Sequence, residues 1–464
     1  MSKKTATLKK DQLNFVEVIA LSIAIIAPTF AMSMNVGLMA GTVSYSVSLM
    51  FVISTILMGF VAVSFVKFNQ YFSSAGSVYT FVDRSMGKNA AAVSGWFLTF
   101  AYTCFACGCS CAFGSLFQEF VKEVTGVSIP WVVFALLCEL VIFAIAFTDV
   151  TLSTKVMLTI EGVSIALIII LAAVILVKVS MTGKMSFAAF QVGDNKLSNF
   201  GAGIVFAILC FGGFEGASSL GEESKNPKKT IPLAIASTVI GTGVIFIFVS
   251  FAETVGFGTT DAGLKAFTTS PSTIVDLSEK YMGKVFTAVI TLGICMSAFS
   301  TALGSMTAGC RAFYSMSRDG NAPEILSAVH PKHRSPYVAL ILMLVISVIP
   351  TVSLVQLDGS TVFGIVGTAG AMSLLLAYLM TSLGSILYFG KRRIWTWQLI
   401  FPTVSLVILG YAFYSNIYPV PAFPVNILPY IVIAWTVAGC AVTYYCRKRA
   451  SESSVSLKNE DASF

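Results

Sequence analysis

Charge is what this sequence has least of. Asp, Glu, Lys and Arg make up 11% of its 464 residues, where a water-soluble domain carries about 25%. A soluble fold this poor in charge could not cover its own surface. Histidine is scarcer still, with only His330 and His333, both in a loop between apolar runs. No nucleophile–base pairing, phosphate-binding glycine loop or zinc-ligand spacing accompanies them, so an enzyme is the class with least support, and neither a cofactor nor a metal is expected. Ten cysteines lie sparsely inside apolar runs, which excludes a secreted disulfide scaffold. Basic residues exceed acidic ones by a net +7, but they occur singly or in twos and threes. They are not gathered on one face with polar or aromatic groups between them, which excludes nucleic acid as a partner.

What the sequence has in abundance is apolar length. Hydrophobic residues are 56% of the chain, and a helix crossing a bilayer needs roughly 20 of them in succession. Twelve such runs occur, at 15–40, 44–67, 90–119, 130–148, 155–178, 200–221, 231–256, 283–310, 337–356, 361–389, 396–413 and 426–446. The polar start MSKKTATLKKDQLN has no signal-peptide pattern. Twelve spans put both termini on one side, and that side then holds 22 of the 29 Lys and Arg. The positive-inside rule makes it the cytoplasmic side of the cell membrane. The expected protein is all-α and embedded in the lipid bilayer. It has a cytoplasmic tail (1–14), a first repeat (15–179), an outer connection (180–199), a second repeat (200–390), two further helices (391–446) and a disordered cytoplasmic tail (447–464).

Two spans carry breaks. Span one has Pro28 in SIAIIAPTFAMSMN, and span six has Gly212, Gly213 and Gly216 around Glu215 in ILCFGGFEGASSLGEE. Both breaks fall about twelve or thirteen residues into their spans, five spans apart, which is the pattern of an inverted repeat with its binding site between two discontinuous helices. A proline kink and glycines for close packing are the plainer alternative. An unwound helix exposes N–H groups that suit a carboxylate and C=O groups that suit an ammonium. A zwitterion the size of an amino acid fits between them without a charged side chain.

Other polar groups lie within the spans. Glu215 costs roughly 2.5–3.5 kcal/mol on insertion scales, so it is either functional or caps its own broken helix. Glu139 and Glu161 lie in spans four and five, while Glu17, Glu119 and Glu253 fall near span ends and read as interfacial. Ser297, Ser300 and Thr301 share one face of span eight, which serves either a Na⁺ ion or hydrogen bonds between helices. Cys104, Cys107, Cys109 and Cys111 sit in span three, but Cys109 points away from the other three, so tight helix contact is expected rather than a metal.

Three segments resemble the amino acid–polyamine–organocation superfamily of permeases. They are FGGFEGASSLGEESKNPKKTIPLAI (211–235), SRDGNAPEILSAVHPKHRSPYVAL (317–340) and FVKFNQYFSSAGSVYTFV (65–82). The resemblance covers essentially the whole chain. It implies a five-plus-five inverted repeat with two added helices, working by alternating access on amino acids or related amines. By that likeness Ile26, Ala27, Pro28 and Thr29 stand where the substrate carboxylate is met. Leu209, Cys210, Phe211, Gly212, Gly213 and Phe214 stand where the amine is met. Glu215 falls at a position linked to protons, and Ser297, Ser300 and Thr301 at or beside a cation site. Pro28 departs from the superfamily's glycine-rich stretch. Leu209 replaces a gating aromatic, leaving occlusion to Phe211 or Phe214. Ser164 stands where some relatives carry a lysine, so the coupling ion is H⁺ or Na⁺, or there is plain exchange. The expected activity is secondary amino-acid transport, as symport or antiport. A polyamine carrier and a transporter-like substrate sensor are the alternatives.

Overall fold

The computed structural model describes residues 8–394 and 397–461. Among them all regular structure is helical, apart from one isolated bridge between Leu13 and Ser224. The first half holds α1 (Phe15–Ile26), α2 (Pro28–Val43), α3 (Val47–Tyr71), α4 (Val78–Met86), α5 (Lys88–Thr125), α6 (Trp131–Phe147) and α7 (Val150–Met181). The second holds α8 (Leu197–Phe211), a 3-10 segment (Phe214–Leu220), α9 (Pro227–Phe257), α10 (Asp261–Thr269), α11 (Thr273–Met282), α12 (Lys284–Arg318), α13 (Tyr337–Ser353) and α14 (Gly359–Lys391). Two more, α15 (Ile400–Ser415) and α16 (Leu428–Asp461), follow.

Among the described residues ten helical segments are long and apolar enough to cross a membrane. The chain is thus a multi-pass membrane protein. The helices α6 and α13, 17 residues each, occupy the places of the expected fourth and ninth spans. Helix starts follow local chemistry. Asn14 and Glu17 form a capping box on α1, and Asp149 and Asp358 cap α7 and α14. Glu17 is thereby accounted for, and Glu119 is exposed.

The centre of the bundle is built from small residues. A Cβ on Gly370 of α14 would lie 2.7 Å from Cys104 of α5, and one on Gly304 of α12 would lie 2.8 Å from Ile25 of α1. Backbones this close are how helices associate where lipid removes the hydrophobic drive between them. The cysteine run of α5 belongs to this packing. Cys104 meets Gly370, Cys107 and Cys111 face Thr351 of α13 at 3.6 and 3.4 Å, and Cys109 turns towards Thr301 on α12.

Both ends of the described chain meet one end of the bundle. Gln12 and Leu13 donate their N–H groups to Glu223 O, and Lys225 returns one to Leu13 O, while Lys9 pairs with Asp149. Arg447 of α16 binds Asn321 and Asn89. We label this the inner end, after the orientation expected from the basic loops, and the opposite end, capped by α10 and α11 packed on α2, the outer end. Neither cap helix was expected from hydropathy, since both are short and amphipathic. The tail read as disordered is helical through Asp461, because Arg447 anchors the helix and Lys448 pairs with Glu452 one turn on.

Candidate functional site

The first break is a single residue. Ala27 takes left-handed backbone angles (φ 47°, ψ 70°), and α2 restarts at once with Pro28 in its first turn. Proline fits there because a first-turn N–H has no helical partner to lose. Ile26 therefore closes α1, while Pro28 and Thr29 are helical, so Ala27 alone is unwound. The second break starts at Gly212. Leu209, Cys210 and Phe211 remain helical, Gly212 is extended (φ −56°, ψ 131°), and Gly213 is left-handed (φ 98°). The chain then winds as a fully buried 3-10 helix from Phe214 to Leu220.

The two broken spans touch. Ser22 of α1 donates to Phe214 O at 2.7 Å and accepts from Ala217 N–H at 2.9 Å, serving two backbone groups of the 3-10 segment that follows the second break. Ile25 fills the slot left by absent side chains at Gly213 and Gly216; an added Cβ would lie 2.1 and 2.5 Å from its atoms.

Glu215 is completely buried and held on both oxygens. Tyr102 of α5 donates to Oε1 at 2.7 Å and Tyr378 of α14 donates to Oε2, while the Tyr378 hydroxyl accepts Gly213 N–H at 3.1 Å. The carboxylate thus ties three spans together below the break. Sequence reasoning passed over both tyrosines, although a hydroxyl in mid-span needs a partner and could have pointed to them.

A cavity of about 260 Å³ reaches this point from the outer side. Its walls come from α2, α5, α8 and α14, running along α14 from Ser360 to Tyr378, and it meets the break at Leu209 and Gly212. Phe105, Phe206, Phe363 and Tyr378 supply its rings, and its few polar groups include Asn35 and Thr368. Phe30 and Phe363 meet edge to face at 4.9 Å. Phe211 and Phe214, expected to occlude the path, line none of it. Phe211 packs on Phe246 and Phe214 on Phe65 and Tyr378, so both rings lie in the core.

The hydroxyls of α12 divide. Ser297 donates to the buried Glu161 carboxylate on α7, with contacts of 3.1 and 3.2 Å to its two oxygens, and lies 3.4 Å from Phe30 N–H just past the first break. Ser300, beside the same carboxylate, has no hydrogen-bond partner, and Thr29 Oγ1 is likewise unpaired. Thr301 instead bonds back to Ser297 O. Ser164 donates to Gly293 O at 3.0 Å, joining α7 to α12. Glu139 accepts from Ser347 and Thr351 at 2.6 and 3.0 Å, away from either break.

Towards the inner end the path is shut. Asn69 bonds Ser218 at 2.8 Å, and Arg311 holds Glu223 with two hydrogen bonds of 2.6 and 3.0 Å, both side chains buried. Arg318 pairs with Glu222 closer to the surface.

The amino acid permease family model matches residues 16–449. A branched-chain amino acid permease, BcaP, of Bacillus subtilis is 27% identical over 65% of this chain and 66% of its own length. The low-affinity putrescine importer PlaP of Escherichia coli is 26% identical over 72% and 73%. A methylthioribose transporter of Bacillus subtilis is 28% identical over 62% and 63%. The chain thus matches just under two thirds of the length of the two Bacillus relatives. With a model matched across nearly all of its spans, the chain belongs to the amino acid permease family.

Proposed function

We propose that the protein carries amino acids with apolar side chains across the cell membrane by alternating access. Twelve spans, with α6 and α13 among them, would arrange as two inverted five-span repeats (15–179 and 200–390) joined by 180–199, plus α15 and α16, with both termini cytoplasmic. The observation that carries the reading is the contact between the two broken spans, Ser22 with Phe214 and Ala217 and Ile25 with Gly213 and Gly216, beside a cavity that Leu209 and Gly212 of the second break line. Backbone groups freed at Ala27 to Thr29 suit the substrate carboxylate, and those at the end of α8, from Leu209 to Gly212, suit its ammonium.

The relatives' names span amino acids, a diamine and a sugar derivative, so the choice of substrate rests on the cavity. Its lining includes aromatic and aliphatic side chains and no acidic one. A dication such as a polyamine would need carboxylates there, and an apolar side chain would not. Counterflow in proteoliposomes tests this directly. Labelled branched-chain or aromatic amino acids should exchange, and putrescine should not compete; the reverse order would reject the assignment.

Coupling fits the face between α7 and α12. Glu161, Ser297 and the unpaired hydroxyls of Ser300 and Thr29 supply hard oxygens next to the first break, a set suited to H⁺ or Na⁺. Glu215, clamped by its tyrosines, is the other candidate for proton coupling. Glu161→Gln and Glu215→Gln separate them: the carrier of the coupling ion should lose ion-dependent net uptake while keeping exchange.

A further inference from the structure

Glu253 lies near the outer end of α9, where an interfacial carboxylate would meet water. It does not: the residue is 1% exposed, and neither carboxylate oxygen has a hydrogen-bond partner. The surroundings come from four elements of the outer half. Thr273, the first residue of α11, stands beside it, and its hydroxyl reaches the Met32 carbonyl of α2 at 3.3 Å. Cys210 of α8 stands on another side, itself next to Asn35 of α2, which lines the outer cavity.

Among the described residues no cation faces this carboxylate. Packed against α9 are α1, α2, α3, α7, α10, α11 and the 3-10 segments at 188–190 and 214–220. Their ionisable groups are Glu17 on α1, Lys67 and Tyr71 on α3, Lys155, Glu161 and Lys178 on α7, Asp261 and Lys265 on α10, and Glu215 on the second 3-10 segment. On α11 they are Asp276, Glu279, Lys280 and Tyr281; α2 and 188–190 carry none. Lys280 and Tyr281, the nearest in sequence to the cap contact, both donate to Gly256 O, at 2.7 and 2.9 Å. Glu161 and Glu215 are bonded elsewhere, and Lys265 is exposed. Of all these groups and Cys210, only the Cys210 thiol stands beside Glu253.

A bare carboxylate in this setting costs several kcal/mol, and neutralisation removes most of that cost. We propose that Glu253 is the anionic ligand of a monovalent-cation site, filled by H⁺ or Na⁺, in the wall between the outer cavity and the α10–α11 cap. Thr273 and the Met32 carbonyl complete its oxygens. Occupancy keeps α2, α8, α9 and α11 packed; loss of the cation leaves a charge that only water entering past Asn35 can solvate. The site is separate from the Glu161 face and does not depend on which substrate is carried.

Cys210 is a built-in reporter, 1% exposed in this arrangement. Its modification by a small thiol reagent is followed by mass spectrometry of the protein in lipid nanodiscs. Each rate is divided by that of Glu253→Gln under the same conditions, which cancels the thiol's own titration. The ratio should be near one at acidic pH and rise at least about tenfold at alkaline pH without Na⁺, since the Gln side chain never carries charge. A rise that Na⁺ suppresses identifies Na⁺ as occupant; one that ignores Na⁺ identifies H⁺. A ratio flat across both series overturns the site. If Glu253→Gln does not fold, Thr273→Val gives a second reading. Its Cys210 should become reactive at lower pH or higher Na⁺ than wild type, and an unchanged onset overturns the proposal.

Discussion

At Gly213 two constraints meet in one residue. Its φ of 98° strains any L side chain, and the space where a Cβ would go holds Ile25 at 2.1 Å. The left-handed backbone alone costs about 1–2 kcal/mol, and overpacking adds about 1–3 kcal/mol. Gly213→Ala should therefore lower thermal stability in detergent and abolish counterflow. Ile25→Ala in the same chain should recover part of the stability, because it removes the 2.1 Å contact with Cγ2 and leaves one of 2.8 Å with Cβ together with the backbone term. Tyr378 tests a different force. Its hydroxyl serves both Glu215 Oε2 and Gly213 N–H, so Tyr378→Phe leaves two buried groups unpaired at about 1–3 kcal/mol each. Tyr102→Phe frees only one oxygen. The expected order of melting temperatures is wild type, then Tyr102→Phe, then Tyr378→Phe; an inverted order would mean that the carboxylate leans on α5 rather than α14.

Between elements, the junction to watch is Ser22. Its hydroxyl bonds two backbone groups of the 3-10 segment just past the second break, and Ser22→Ala should uncouple α1 from that segment. Counterflow should fall further than stability does, whereas a change in stability alone would make Ser22 mere packing. Much of this architecture was legible beforehand. Apolar length alone located the long helices, and Pro28 and the Gly212-Gly213 pair marked both breaks, because proline and glycine act on their own backbone. What stayed hidden were relations between distant side chains. Nothing local tells that Tyr102 and Tyr378 converge on Glu215, or that Ser297 finds Glu161, since each pairing depends on helix rotation and depth. Glu253 misled for the same reason: its place near a span end suggested water, and only the cap formed by α10 and α11 excludes it. That cap escaped a reading by hydropathy because α10 and α11 are too short and too polar to register.

For the molecule as a whole, the inner end is locked electrostatically and the outer end is lined by apolar surface. Arg311 and Glu223 are both buried, so their pair is worth little over two neutral groups, but removing one partner costs about 3–5 kcal/mol. Glu223→Gln should thus shift the protein towards an inner-open form, exposing Cys310, which is now 1% accessible and adjacent to Arg311. Faster Cys310 modification with retained substrate binding is the expected result; unaltered reactivity would show that the lock holds without the ion pair. The chain ahead of α1 shares in this closure, since Gln12 and Leu13 bond directly to Glu223.

The two 17-residue helices carry a consequence for the lipid around the protein. At 1.5 Å per residue each is about 25 Å long, short of the roughly 30 Å of an average hydrocarbon core. They are neighbours, α6 packing on α13, so the deficit falls on one flank of the bundle, while α7 and α9 elsewhere exceed 30 residues. That flank favours a thinner bilayer than the others do. Lipids with short or unsaturated tails should gather at that side, and two copies meeting there would share one thinned annulus instead of maintaining two.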